Sequence, residues 1–371
     1  MLAKAPLQQL VERSKVNRAL SDSLLPLNNN ECFLNLEDVS SVTVVEDDPK
    51  GAVPVAFGIF NRCSPNQIYC AIVATSPAYE ANYVTVEKIK CKNSDLGLPE
   101  NSPSRNSLLK MTSVFPELPD LSGLPQYFSA FAEPALRPLL TCVIDQLIDQ
   151  TVGHYNVEMK RNMTVDLYDA EAGEPEHSDV LWRDFSGFVV ADRYRYSEIV
   201  ISREKLLKVV SNTCGTKEIA REEGSKTLFN IELMTKSNQS LLMDYDQDVA
   251  VMNRQDYVEY LLGLSGIKGM IALDTVQHQP LGYILSLNGR VLQLYAENEN
   301  VASHLMFEHI EKNVEESELA FFIRRNETWI ADALLANATK IRRVRRFHTR
   351  ILPSGVKWSN VFLYNMGVHL F

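Results

Sequence analysis

The stretch that most constrains the fold of this chain runs from residue 254 to residue 306. Apolar residues at helical spacing predict one amphipathic helix at its start. Three short runs rich in branched and aromatic residues follow, and they predict three strands. A second helical pattern begins near Ala302. The order helix, three strands, helix is typical of an α+β domain in which helices cover a mostly antiparallel sheet.

The three strands of this stretch read GMIALDT, LGYILSL and VLQLYA. Their turns are predicted at residues 277–279 and at Asn288-Gly289. Further on, LAFFIRR predicts a strand and TWIADALLANA a helix, and RRFHTRI and VKWSNVFLYNM predict two final strands. The second half is therefore expected to form one continuous α+β domain.

The first half predicts short strands at residues 40–47, 54–60, 68–75 and 83–90. Residues 91–124 are dominated by Asn, Ser, Pro and Gly and predict a long loop. A further strand is predicted at 127–133, followed by one clear amphipathic helix. Its apolar face comprises Leu140, Val143, Ile144, Leu147, Ile148 and Thr151.

Composition excludes several classes of protein. The 371 residues suffice for two domains of ordinary size, each with its own core. A formal net charge of −10 argues against a broad nucleic-acid surface, and no apolar run approaches the roughly 18–20 residues of a membrane span. The six cysteines lack paired short spacing, which is typical of free thiols in a reducing compartment. We therefore expect an intracellular, cytoplasmic protein, with the nucleus also open, and no metal site.

Several segments of the second half resemble the C-terminal domain of a two-domain GNAT-type acyltransferase family. They are YDQDV, RQDYVEYLL, KGMIALD, PLGYILS, LYAENENVA and RFHTRI. The first half resembles a GNAT domain more loosely, through EPALRPLLTCVIDQLI and NMTVDLY. The resemblance implies an α+β protein of two tandem GNAT-like domains, each a mixed, mostly antiparallel sheet flanked by helices. The expected domains are residues 1–200 and 241–371, with a linking region at 201–240.

The resemblance also implies where a cofactor would bind. An acyltransferase of this class holds the pyrophosphate of acetyl-CoA on backbone N–H groups at a helix N-terminus. In the first domain the matching loop is Arg137-Pro138-Leu139-Leu140-Thr141-Cys142, so Arg137, Leu139, Leu140 and Thr141 are the candidate cofactor-binding residues. Side chains stand where the family has glycines, and Pro138 has no N–H to donate. The alternative is a core helix that begins at a proline.

Two residues of the first domain are candidates for catalysis. Tyr168 stands near the position of the family's tyrosine, which protonates the leaving thiolate, and Glu133 could act as a base. The alternatives are a core tyrosine and a solvated carboxylate. In the second domain the equivalent phosphate loop carries Glu297 and Glu299, which would cap a helix but repel a pyrophosphate.

The densest positive charge lies in residues 341–350, where Arg343, Arg345 and Arg346 form a candidate anion-binding site. The alternative is a charged edge strand guarded against aggregation.

Two functions follow from these residues. The first is an acetyl-CoA-dependent N-acyltransferase acting on an amine of a small molecule or a protein. The second is a non-catalytic binding or regulatory protein that has lost its pyrophosphate loop. Nucleic acid and membranes are not expected as partners under either hypothesis.

Overall fold

The computed structural model describes fifteen segments of the chain: residues 38–49, 51–64, 67–79, 82–90, 92, 105–115, 137–151, 162–169, 182–183, 186–192, 196–220, 226–250, 254–324, 329–352 and 355–364. The chain divides into two units. Unit one comprises residues 1–191, 347–351 and 367–370, and unit two comprises residues 192–346, 352–366 and 371.

Unit one is a mixed sheet with one described α-helix. Its strands are β1 (Val39–Asp48), β2 (Gly51–Ser64), β3 (Gln67–Thr75), β4 (Tyr83–Ile89), β5 (Arg105–Phe115), β6 (Arg137–Pro138), β7 (Asn162–Tyr168) and β8 (Val190–Ala191). They lie in the order β6-β4-β5-β1-β2-β3-β7, where β1–β5 and β3–β7 are the parallel pairs and the others are antiparallel. Helix α1 (Leu139–Thr151) packs across β1 and β2.

A close approach between α1 and β2 fixes the position of this helix. A Cβ placed on Gly58 of β2 would lie 2.7 Å from Val143 Cγ1 and 2.8 Å from Leu147 Cδ1. Both of those side chains are fully buried in the core of unit one. Glycine at position 58 therefore lets the apolar face of α1 lie directly on the sheet.

Unit two is a larger mixed sheet with helices. Its strands are β9 (Tyr196–Ser202), β10 (Glu218–Ala220), β11 (Lys226–Leu233), β12 (Lys268–Asp274), β13 (Pro280–Leu287), β14 (Arg290–Ala296), β15 (Glu318–Arg324), β16 (Lys340–His348) and β17 (Val361–Tyr364). Its described α-helices are α2 (Arg203–Ser211), α3 (Gln239–Ala250), α4 (Gln255–Gly263), α5 (Glu299–Asn313) and α6 (Ala331–Asn337). The last residues of β16 belong to unit one, where Phe347 pairs with Ala191 of β8.

Strand pairing in unit two is mostly antiparallel. Strands β10 to β14 form a continuous antiparallel series, and β15 pairs antiparallel with β9, which in turn pairs with β16. The turn between β13 and β14 has positive φ at both Asn288 (48°) and Gly289 (71°), which matches the dipeptide that predicts it. The core contains Leu294, Leu305 and Phe321, all fully buried.

The structure differs from the sequence predictions in two places. The predicted loop at 91–124 contains strand β5, whose residues Ser107, Leu109 and Met111 alternate inward. The predicted linking region at 201–240 contains α2, β10 and β11. Leu206 and Val210 of α2 are fully buried in the core of unit two, so this segment is part of unit two and not a linker.

None of the helices in the described part of the chain is long and apolar enough to cross a membrane.

Candidate functional site: a cleft in unit two

A cleft opens in unit two where four elements meet. It has a volume of about 290 Å³ and lies between the start of α5, the end of β15, the start of α6 and the segment leading into β17. Most of its wall is apolar, formed by side chains such as Ile323, Leu334 and Val361. A concave, largely apolar site with a few polar groups is the usual form of a small-molecule site.

Arg324 is the positive charge in the wall of this cleft. It is the last residue of β15 and is only 7% exposed. Its guanidinium carbon lies 4.1 Å from the centre of the Trp358 ring, a stacking distance at which a cation is attracted to the face of an indole. A guanidinium carries its N–H donors in one plane, the geometry that suits phosphate and carboxylate oxygens.

The first turn of α5 forms the opposite wall. Asn298 caps the helix, because its side-chain oxygen accepts a hydrogen bond of 3.0 Å from the backbone N–H of Val301. The side chain of Asn300 bonds instead to the backbone of Gly215 and Thr216. The helix N-terminus thus brings partial positive charge to the cleft, while the Glu299 carboxylate on the same turn opposes an anion.

The two parallel strands beside the cleft separate almost at once. Strands β14 and β15 share one paired position, Arg290 with Ala320. Beyond it, β17 lies between them: Leu363 pairs with Leu294 of β14, and Tyr364 pairs with Phe322 of β15. The opening between the separating strands is therefore filled by a strand from the same chain.

A buried cluster of charged and aromatic residues lies on the other face of β13 and β14. Arg254 donates two hydrogen bonds to Asp246, at 3.0 and 2.9 Å, and Tyr283 Oη lies 2.5 Å from Asp246 Oδ2. Burial and the neighbouring Asp246 carboxylate raise the pKa of Tyr283 well above its usual value. Asp246 thus bonds to both Arg254 and Tyr283 inside the core, and these three side chains are held by one another.

Tyr168, the predicted acid of the first domain, is half-buried at the end of β7 in unit one. A buried polar set lies on the same face of β7, alternating with its apolar residues. Tyr69 Oη lies 2.5 Å from Asp166 Oδ2, and Thr164 Oγ1 lies 2.6 Å from His348 Nδ1. Sequence reasoning missed Asp166, although period-two alternation in NMTVDLY was a signal for it.

The predicted cofactor-binding residues of the first domain lie at the start of α1. Arg137 forms an ion pair with Asp145, eight residues further on in α1. The side chains of Leu139 and Leu140 are buried in the core, and Thr141 is buried with no hydrogen-bond partner for its hydroxyl among the described residues. Because both leucine side chains lie in the core, neither can contact a ligand there. Glu133 lies outside the described residues.

The three arginines of the predicted anion site differ in environment. Arg346 is buried with its guanidinium carbon 4.9 Å from the centre of the Tyr196 ring, Arg345 is half-buried, and Arg343 is exposed. The neighbouring Arg342 forms an ion pair with Glu198. Alternation along β16 thus sends Arg346 and Arg343 to opposite faces of the strand, as its period of two requires.

Among the described residues, no group of three metal-binding side chains comes together.

A family model described as a domain of unknown function, DUF7596, matches residues 26–190. No curated protein is significantly similar to the chain. Among solved structures, a putative acetyltransferase from Pyrococcus horikoshii is 12% identical with a TM-score of 0.44, covering 85% of this chain and 76% of its own. A tandem GNAT protein from the clavulanic acid biosynthesis pathway is 7% identical with a TM-score of 0.42, covering 83% and 82%.

These TM-scores are too low to support an argument about the fold. The fold is therefore described from the order of the helices and strands in the chain itself. In unit two, helices α3 and α4 precede three antiparallel strands, and α5, β15, α6, β16 and β17 follow. The strands before and after α5 are parallel and diverge. From α4 onward, this is the order of helices and strands that the sequence predicts for the second half of the chain.

Proposed function

We propose that the protein is an N-acyltransferase of two tandem GNAT-like units that takes its acyl group from acetyl-CoA. The cleft of unit two is the observation that carries the proposal. It joins a helix N-terminus and a buried arginine at the end of β15, a strand that diverges from its parallel neighbour β14. Acyl transfer from acetyl-CoA needs hydrogen-bond donors for the phosphates and a place for the extended arm.

A repeated order of elements supports the tandem arrangement. In unit one, the antiparallel strands β1, β2 and β3 are followed by helix α1 and then by β7, which is parallel to β3. In unit two, β12, β13 and β14 are followed by α5 and then by β15, which is parallel to β14. Residues 83–138 of unit one, which hold β4, β5 and β6, are then an insertion between β3 and α1.

The groups around the cleft fit the cofactor's phosphates through Arg324 and the first turn of α5. When bound, acetyl-CoA supplies a thioester carbonyl that an amine attacks. The chain's own residues hold the anionic end through Arg324 and limit water through the apolar wall. Glu297 and Glu299 oppose the anion, so Arg324 and the N-terminus of α5 must together outweigh their repulsion.

Calorimetric titration of the purified protein with acetyl-CoA tests the proposal. We expect binding in the micromolar range, weakened about tenfold or more by Arg324→Gln, since a hydrogen bond to a charged group contributes about 1.5–3 kcal/mol. Arg137→Gln is the matched control in unit one, and its affinity should equal that of the wild type. If Arg137→Gln weakened binding and Arg324→Gln did not, the cofactor would bind at the start of α1. An absence of binding at millimolar acetyl-CoA would rule out the acyltransferase proposal.

A non-catalytic binding protein is the second candidate function. The observation in its favour is strand β17, which already pairs with β14 where a cofactor arm would run. The burial of the Leu139 and Leu140 side chains in the core of unit one also favours this alternative. Under this alternative, a screen of amines with labelled acetyl-CoA gives no acyl product even where acetyl-CoA binds.

A further inference from the structure

Strand β17 occupies the opening between β14 and β15. Its described residues, Val361–Tyr364, pair with β14 at three positions and with β15 at one. The side chains of these residues also help to hold the strand in place.

Those side chains form a compact anchor. Leu363 is fully buried in the core of unit two, and Tyr364 is 1% exposed with its ring edge-on to both Tyr196 and Trp358, each at 6.0 Å. Phe362, half-buried, reaches the cleft and meets Trp329 edge-on at 5.3 Å. The strand and the cleft thus share walls, so a change in the docking of β17 changes the cleft.

The backbone N–H and C=O groups of β14 determine which kind of ligand could take the place of β17. Diverging parallel strands leave N–H and C=O groups that must find partners, and β17 supplies them along Gln293, Leu294 and Tyr295. An extended ligand arm with amide groups could make the same hydrogen bonds, as a peptide does when it adds to the edge of a sheet. The arm of an acyl-CoA carries two such amides.

We propose that β17 is a displaceable strand that occludes the donor site, and that acetyl-CoA binds in the extended form only to molecules in which β17 has left the opening between β14 and β15. This inference rests on the proposed function and adds its regulation. Because only the fraction of molecules with an open site can bind, the observed dissociation constant equals the intrinsic constant divided by that fraction. A weaker anchor for β17 should therefore tighten binding.

The test compares two leucine truncations in the full-length protein. Leu363→Ala removes an anchor of β17, and Leu319→Ala removes an equally buried leucine from β15, outside its pairing with β17. Calorimetric titration with acetyl-CoA should show a dissociation constant at least about fivefold smaller for Leu363→Ala, while Leu319→Ala should stay within about twofold of the wild type. Circular dichroism and thermal melting establish that both variants are folded, and Leu363→Val replaces Leu363→Ala where the latter is not.

Hydrogen exchange of the wild type supplies a second readout that does not depend on a variant. Amides of residues 361–364 should exchange faster with saturating acetyl-CoA than without it. Equal affinities for all proteins, or slower exchange in β17 on binding, would overturn the displaceable strand while leaving the acyltransferase intact. No binding to any of the proteins would overturn the proposed function, and the occluded site with it.

Discussion

Arg254 and Asp246 form a two-point ion pair inside unit two, with both side chains almost completely removed from water. Burial opposes the charge of the guanidinium, but the Asp246 carboxylate outweighs it and keeps the pKa of Arg254 above its usual value. The pair joins the end of α3 to the start of α4.

Loss of one partner from this pair should be costly. We expect Arg254→Met to lower the free energy of unfolding by about 3–5 kcal/mol, because the Asp246 carboxylate would remain buried without its cation. Lys357→Met is the matched control, since Lys357 pairs with Asp248 at the surface and should contribute less than about 1 kcal/mol. Urea unfolding followed by circular dichroism measures both, and equal losses would contradict the prediction.

Glu198 on β9 is a second buried charge that we expect to stabilise unit two. It is 2% exposed and contacts both Arg290, at 2.9 Å, and Arg342, at 2.5 Å. Burial raises the pKa of Glu198, but the two arginines prevail and the net pKa is lowered. Glu198→Gln should therefore lower the free energy of unfolding by about 3 kcal/mol, since two partly buried cations lose their buried counter-charge.

The lowered pKa of Glu198 also fixes the direction of a pH effect. Its contribution is complete above the unfolded pKa, near 4.5, and is lost as the pH falls through the folded value. Melting temperatures of the wild type and Glu198→Gln should therefore converge in acid. The surface variant Glu232→Gln serves as the control, and a constant difference between Glu198→Gln and wild type down to the acid limit would contradict the assignment.

His309 on α5 should make stability depend on pH at a higher range. Burial, assisted by Lys268, lowers its pKa from 6.5 to about 4, and its Nε2 lies 2.7 Å from Ser286 Oγ. The unfolded chain therefore binds the proton first as the pH falls. The contribution is complete above about pH 6.5 and falls by up to about 3 kcal/mol toward pH 4. Chemical unfolding at several pH values should show a shallower dependence for His309→Gln, and parallel curves would exclude His309.

Tyr168→Phe tests the predicted acid of unit one. The acetyl-CoA site proposed in unit two does not include Tyr168, so this variant tests whether unit one holds a second catalytic site. If Tyr168 protonates the leaving thiolate there, turnover should fall by more than about tenfold with little change in acetyl-CoA affinity, because the hydroxyl acts in the transition state. Tyr79→Phe is a matched control on another tyrosine of unit one, which is hydrogen-bonded to Glu46. Steady-state rates with an amine found by screening provide the measurement, and an unchanged rate would remove Tyr168 from the mechanism.

Local patterns in the sequence predicted most elements of the fold. The apolar spacing from Leu140 to Thr151 predicted α1, and Asn288-Gly289 predicted the turn between β13 and β14, because both depend on residues close in sequence. The sequence did not predict strand β5, because prolines and serines on both sides of residues 105–115 dominate the composition of the segment. Its partner, β1, lies more than sixty residues earlier, and such pairing leaves no local signal.

The candidate site was harder to predict for the same reason. The resemblance located the start of α5, but the cleft also needs Arg324, Trp358 and β17, which come from separate parts of the sequence. Arg324 ends β15 as Tyr168 ends β7, and only the pairing of each strand with its neighbour makes these positions comparable. The occupation of the opening by β17 is a matter of strand order, which no run of residues encodes by itself.

The parallel pairing of β1 with β5 has a consequence for engineering this protein. Residues 83–138 invite removal, since they interrupt the simpler repeat of strands and helix. Their excision would strip the neighbour from residues Ser40–Val45 and turn an interior strand rich in valine into an uncovered border of the sheet. Such borders recruit strands from other molecules. A shortened protein should thus be prone to self-association, and the segment that interrupts the repeat serves as a guard against aggregation.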